Sequence, residues 1–408
     1  MKKSILILFA ATAAIILSGC QDIIPKEDEP TENINEEPLD AAKMDIMAWC
    51  SIPTGSFATT ERFQELEECG FTISLSIVHQ AVQLEGAIKF LDLAEPTGVK
   101  VMFMCQEAMY EDPEGVVNRI KDHPALFGYC VHDEPRISDI PDLAKVVERV
   151  RAADPNHPVY VNLLPGSGEN YDNYVKTFVE TIHPQFISFD NYAINRDYIA
   201  PDWWYNIETI RSAANQAGIP FWAFANCMET ATKPTPTIET LRLYQYTNLA
   251  YGAQCLQYFT YWRPNGPSAV NDIAPIIRGE RTPLYDLVKE MNEEIQARAG
   301  VFIGCNVLQV AHTGETIPEE TTRLTSLPAP LTALDTKGNG ALVSLIENGK
   351  WQYLVIVNRT YEEGFDYDIA FDREVAIVER DGSITLFDGK QSTMHLGEGD
   401  CAIYRWAI

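Results

Sequence analysis

The chain has 408 residues, of which 46% are hydrophobic and 22% charged. That is enough for one large domain with a sizeable core and a smaller one beside it. The formal net charge of -27 excludes a nucleic-acid partner, because a phosphate backbone calls for a basic surface.

Lys2 and Lys3 precede an apolar run from Ile5 to Leu17, which Leu17-Ser18-Gly19-Cys20 closes. The pattern reads as an export signal over 1–19. A membrane-spanning helix is the alternative, but the run is short for a bilayer and small residues end it. The closing tetrapeptide resembles the lipobox of bacterial lipoproteins. That resemblance implies cleavage before Cys20, lipidation of Cys20, and a protein held in the cell envelope by its N-terminal lipid alone. Residues 20–43 are then an acidic tether. Positions 21–43 carry eight acidic and two basic residues and three prolines, too little apolar surface to fold.

Eight further cysteines stand at Cys50, Cys69, Cys105, Cys130, Cys227, Cys255, Cys305 and Cys401. They form no CxxC pair and no Cys/His cluster of zinc spacing. Most lie in apolar runs, so buried free thiols are expected. Neither a metal nor a cofactor is called for.

From Asp45 onward, apolar β-type runs alternate with helical patterns. The runs fall at 46–52, 71–78, 99–105, 126–131, 159–164, 186–191, 221–225 and 255–261. Between them, sets such as Ile140, Leu143, Val147 and Val150 have the spacing of a core-facing helix. Gly70, Gly98, Gly218 and Gly252 stand where helices end. Eight such units over 44–304 predict an α/β fold, a (β/α)8 TIM barrel. A doubly wound sheet is the runner-up, disfavoured because no glycine-rich loop follows the first strand. A helix over 284–298 closes the barrel. Over 305–408 the hydrophobic period becomes two. Asn348-Gly349 and Asp381-Gly382 mark hairpins, and a last strand covers 400–408. This part predicts a small antiparallel β-sandwich packed on the barrel. Its role is structural or, alternatively, sugar-binding.

Chemistry in a TIM barrel gathers at the C-terminal strand ends. In chain order these ends offer Trp49, His79, Gln106 with Glu107, His132-Asp133-Glu134, Asn162, Asp190-Asn191-Tyr192, Asn226 with Glu229 beyond it, and Tyr261-Trp262. The mixture of carboxylates, amides and aromatics, with little Lys or Arg, suits a carbohydrate. Sugar hydroxyls need directed donors and acceptors. A phosphorylated substrate would need cations or helix N-termini. The focus is 126–135, an apolar strand that ends in three ionisable groups and is stopped by Pro135. Glycoside hydrolysis uses two carboxyl groups, and Glu134 is the predicted acid/base. Blander readings stand beside this one. Glu134 could pair with Arg136. His79 and His132 could be structural. Trp49 could fill the mouth, and Asn191 and Asn226 could cap turns. Trp203 and Trp204 offer a sugar platform, although the Trp203, Ile207, Ile210 spacing places one of them under a helix. No Gly-x-Ser-x-Gly elbow, dinucleotide fingerprint or Walker loop occurs.

Asp133-Glu134-Pro135, Tyr192, and Trp262 in Phe259-Thr260-Tyr261-Trp262 resemble the clan of retaining β-glycosidases built on (β/α)8 barrels. That clan includes the β-galactosidases called family 42. The resemblance implies a glycoside hydrolase acting on a poly- or oligosaccharide. It implies that Glu134 is the acid/base, and that Trp262 lies under the reacting sugar. Two departures stand out. Asp133 replaces the clan's usual Asn, and its charge would raise the pKa of Glu134. The nucleophile's place on strand seven, five residues after Pro220, holds Ala225. Glu229 or Asp190 would have to serve instead. Asp133, Glu107, Asn191, Tyr192, Trp262, Asn226, His79 and Trp49 are the substrate-binding candidates. The Asp133-Glu134 pair is also similar to that of β-hexosaminidases, where the Asp orients the substrate's acetamide and the Glu is the acid. A glycan-binding protein without turnover, on a degenerate barrel, is the reading of another class.

Overall fold

Eight parallel strands close into a barrel in chain order, β1 pairing with β8. They are β1 Asp45–Ala48, β2 Ile73–Ser74, β3 Lys100–Met104, β4 Leu126–Asp133, β5 Val159–Leu163, β6 Ile187–Phe189, β7 Phe221–Asn226 and β8 Cys255–Phe259. This computed structural model describes residues 34–264 and 271–408, so the signal segment and Cys20 lie outside the described residues. Around the barrel run α1 Thr60–Glu68, α2 Leu84–Ala94, α3 Gln106–Glu111, α4 Pro113–Ile120, α5 Ile140–Ala153, α6 Gly168–Ile182, α7 Asp202–Ala217 and α8 Ile238–Tyr251. A short ribbon, β9 Ile276–Ile277 and β10 Glu280–Arg281, leads into α9 Pro283–Ala297 and α10 Ala299–Phe302.

Each strand is buried on both faces, which is why the runs read as almost continuously apolar. Alternate residues divide between two cores. Met47, Met102, Met104, Tyr160 and Trp222 fill the lumen. Ile46, Val101, Val161 and Ala223 face the helices. Gly70, Gly218 and Gly252 adopt the left-handed backbone that ends a helix (φ +90°, +66° and +101°). Gly98 does not. It is needed because the Glu67 carboxylate takes its N–H at 3.0 Å and fills the space a Cβ would occupy.

The C-terminal part is a sandwich. A six-stranded sheet has the order β11-β13-β14-β19-β16-β17, and a three-stranded sheet the order β12-β15-β18. The strands are β11 Asn306–His312, β12 Leu331–Asp335, β13 Ala341–Asn348, β14 Trp351–Asn358, β15 Phe365–Phe371, β16 Val375–Val378, β17 Ile384–Phe387, β18 Ser392–Leu396 and β19 Cys401–Ala407. Both hairpins marked by Asn-Gly and Asp-Gly are present, as β13–β14 and β16–β17. The six-stranded sheet is apolar on both sides. Val343, Leu354, Ile356 and Tyr404 face the smaller sheet. Leu342, Ile346, Val355 and Ile403 join the core of the barrel's helices.

Helix α8 lies between barrel and sandwich and is buried from Thr240 to Tyr251. Several of its polar groups find partners inside the protein. Arg242 meets Glu294 of α9, with its Nε 3.0 Å from one carboxylate oxygen and its Nη2 on the other. Tyr246 takes a hydrogen bond from Arg298 at 3.0 Å. Tyr251 meets His312 Nε2 at 3.0 Å.

The expected tether differs in its second half. Residues 34–43 lie on the sandwich rather than standing free. A short 3-10 turn, Ile34–Glu36, packs there. Buried Arg405 donates to the carbonyls of Asn35 and Glu37, and Lys350 pairs with Glu37 at 2.6 Å. The physical reason is that the guanidinium, stacked on Trp351, needs acceptors that the sheet cannot supply.

His312 ties the sandwich to α7 and α8, packing edge-on to Trp204 at 5.1 Å between ring centroids. Burial, with Arg359 nearby, lowers its pKa to about 3. The unfolded chain binds the proton more tightly than the folded one. Stability from His312 is therefore complete above about pH 6.5 and lost as pH falls from there toward 3. We expect acid unfolding in this window to cost a few kcal/mol, to order of magnitude, with His312→Gln flattening it. Urea titrations from pH 4 to 7 check this. Parallel pH profiles for the two proteins would rule it out.

Candidate active site

The site forms where β4 breaks its pleat. The register between β4 and β5 shifts at Cys130 to His132. Glu134 then takes a left-handed backbone, φ +49°, which a Glu adopts only at some cost. Its N–H is held by the Asn162 carbonyl at 2.9 Å, and Tyr174 of α6 donates to the Pro135 carbonyl at 2.9 Å. The bulge overrides simple alternation. His132 turns outward to α3, whereas Asp133 and Glu134 share the mouth with Asp190.

Asp133 and Glu134 are open to solvent. Among the described residues, no Lys or Arg pairs with Glu134, and Arg136 only places its backbone N–H on Asp139. The walls of the mouth still strip water from Asp133, and Glu134 repels its charge. Together they push its carboxyl up to about 6, against the pull of a hydrogen bond from Asn162. Asp190 is sealed beneath, 6% exposed, with one oxygen lacking any partner. Burial first, and then the charges of Glu134 and Asp133, hold it well above the usual carboxylate range, although Tyr192 hydrogen-bonds to it. A carboxyl at that depth favours its neutral form.

Below them a polar chain crosses the lumen. Gln257 donates to Ser188 at 2.9 Å, and Ser188 donates to Asn162 Oδ1 at 2.9 Å. Tyr160 closes a ring with Gln257 at 2.8 Å and Ser188 at 3.0 Å. The Asn162 amide is thereby fixed to donate to Asp133.

The other expected residues separate into groups. Trp49 fills the mouth's floor against Tyr160 and Phe224. Tyr192 packs on Phe259, 5.2 Å between centroids, and both remain partly open. Asn191 is buried with its amide nitrogen unpartnered. Asn226 caps the turn after β7, donating to the Met228 carbonyl at 2.7 Å. His79 is exposed and meets Gln106 at 3.0 Å. Glu107 accepts the Ala81 N–H at 2.7 Å.

Three expectations change. Trp262 is 4% exposed and lies under Phe57 and Arg62, so it offers no free face to a sugar. Trp203 and Trp204 are likewise core residues. Glu229 is engaged elsewhere. It bonds Arg196 at 3.0 Å and Thr235 at 2.5 Å, and its backbone pairs with Ile273. Those partners hold its carboxyl below the usual range, and it takes no part in the electrostatics of the Asp133, Glu134 and Asp190 group. Ala225 points away from the lumen into the helix core. Strand seven thus brings no carboxylate to this group. Phe259 is the aromatic residue at the mouth that a strand count missed. Lumen parity from Cys255 and Gln257 would have found it.

No protein-family model matches the chain, and no curated protein matches it. Solved structures do. The β-galactosidase from Bacillus circulans sp. alkalophilus is similar over 90% of this chain and 99% of that one, with TM-score 0.59 and 10% identity. The α-amylase from Geobacillus thermoleovorans, complexed with acarbose, is similar over 89% and 98%, with TM-score 0.54 and 11% identity. A β-galactosidase from the psychrophilic Marinomonas ef1 aligns over 63% of this chain at TM-score 0.49 and 10% identity, and the chain spans 60% of its length. The class is thus a (β/α)8 barrel with an appended β-sandwich, a fold shared with glycoside hydrolases.

The raised pKa of Asp190 carries a sign. Its stabilising proton is bound below about pH 4 in either state, and that stability is lost as pH rises through the folded value. Asp190→Asn should therefore raise the melting temperature increasingly from pH 4 to pH 8. A shift that is the same at both pH values would contradict the raised pKa of the buried carboxyl.

Proposed function

We propose that the protein is a glycoside hydrolase with Glu134 as general acid/base. The observation that supports this most is the convergence of Asp133, Glu134 and Asp190 on one barrel mouth, over an aromatic floor, with no ion-pair partner for Glu134 among the described residues. Separated environments for neighbouring carboxyl groups are how one site holds an acid and a base at once.

The strand-seven nucleophile of the family 42 pattern has no counterpart here, since Ala225 faces away and Glu229 is held by Arg196. The two carboxylates open to a substrate are Asp133 and Glu134. That supports a second, finer reading. Asp133 orients a 2-acetamido group of the substrate, which attacks the anomeric carbon as Glu134 protonates the leaving oxygen. Asp133 acts as its anion in this role. Activity should then rise through about pH 6 as Asp133 ionises.

The test is sugar release from aryl glycosides, with and without a 2-acetamido group, and from polysaccharides. Glu134→Gln should lower kcat by about 10²–10⁴-fold on natural glycosides. Asp133→Asn should abolish the acidic limb of the pH profile and act most strongly on 2-acetamido substrates. Glycan binding without release by the unaltered protein would replace the hydrolase with a carbohydrate-binding protein.

We also propose export and lipid anchoring through Cys20, on the strength of the Leu17-Ser18-Gly19-Cys20 pattern. Detergent partitioning of Cys20→Ala beside the unaltered protein reads this directly.

A further inference from the structure

A second pocket opens beside the mouth, on the outer side of β4. Its volume is about 540 Å³, and its wall includes His79, Gln106, Tyr110, His132 and Asp139. A cavity of about 670 Å³ between α6 and α7 lies apart from this chemistry.

The pocket's polar groups have fixed directions. Tyr110 donates to His132 Nδ1 at 2.9 Å, and Gln106 Nε2 approaches the same atom at 3.2 Å. Nδ1 is therefore an acceptor, and the ring's proton sits on Nε2. Burial lowers the pKa of His132, which favours the neutral ring. The other end of the Gln106 amide accepts from His79 Nδ1 at 3.0 Å. One amide thus holds two imidazoles, accepting from one and donating to the other. Tyr110 adds a ring that is 36% exposed.

The wall contains no Lys or Arg. Its carboxylates already have partners. Glu107 holds the Ala81 N–H, Asp139 holds the Arg136 N–H, and Asp142 pairs with Lys145 outside the wall. Such a wall repels an anion and has no bare carboxylate waiting for a cation. Paired donors and acceptors beside an aromatic face match the hydroxyls and apolar face of an uncharged sugar ring. His132 and Glu134 are two residues apart, at most about 7 Å of chain, so the pocket and the mouth lie within the reach of neighbouring sugar units.

We propose that this pocket is a second sugar subsite, in which Tyr110 stacks on an uncharged ring and His132 and His79 bond its hydroxyls. The substrate is then an uncharged oligosaccharide or polymer that occupies mouth and pocket together. This rests on the reading of the mouth as a carbohydrate site.

The experiment is calorimetric binding of uncharged oligosaccharides of one to six units to the Glu134→Gln protein, alone and combined with Tyr110→Ala or Tyr110→Phe. Affinity should rise with chain length. Tyr110→Ala should weaken the longer ligands about tenfold, and Tyr110→Phe, which keeps the ring, should restore most of that loss. Identical affinities with and without the Tyr110 ring at every length would overturn the proposal, as would no binding of any sugar. Turnover by the unaltered protein is read separately. Ring-dependent binding without turnover keeps the subsite and removes the hydrolase. Turnover with ring-independent binding does the reverse.

Discussion

The barrel's interior depends on one buried hydroxyl. Ser188 on β6 receives Gln257 from β8, touches Tyr160 from β5, and passes its own proton to Asn162. Polar side chains in a lumen packed by Met47, Met102, Tyr160 and Trp222 are costly unless they bond one another. The chain ends at Asp133, so the packing requirement of the lumen also fixes the orientation of a rim carboxylate. Core and site are one hydrogen-bonded object here, and neither can be repacked alone.

The second constraint is the sandwich. It covers α8, a helix buried all round, and an amphipathic pattern is absent from that helix for this reason. Its Arg, Gln, Asn and Tyr groups are not solvent-facing. They bond α9, the barrel and β11. Helix α8 itself packs behind β7, the strand that brings Phe224 to the mouth, so the sandwich meets the back of the site without contributing a side chain to it.

The barrel was legible because strands buried on both faces leave apolar runs, and left-handed glycines such as Gly218 end the helices between them. The place of Glu134 at the barrel mouth was legible because a charged triplet ends such a run. Positions set by three-dimensional partners were not legible. Nothing in the chain near Glu229 announces Arg196, and nothing near Trp262 announces Phe57. The acidic composition of 34–43 pointed to a free tether, but its backbone carbonyls, which composition does not record, are what Arg405 binds. The β4 bulge hid the pocket by turning His132 away from the mouth, a local irregularity that the residue pattern does not record.

The left-handed backbone at Glu134 has a consequence for how this chain can change. An L-residue with a long side chain costs about 1 kcal/mol or more there, and Gly or Asn costs less. The backbone alone therefore favours losing the carboxylate. Replacement by Gly would relax the turn and leave the Asn162 and Tyr174 hydrogen bonds in place. Freed of its chemistry, the barrel would have a downhill path to a more stable and inert relative, with the same mouth and the same neighbouring pocket.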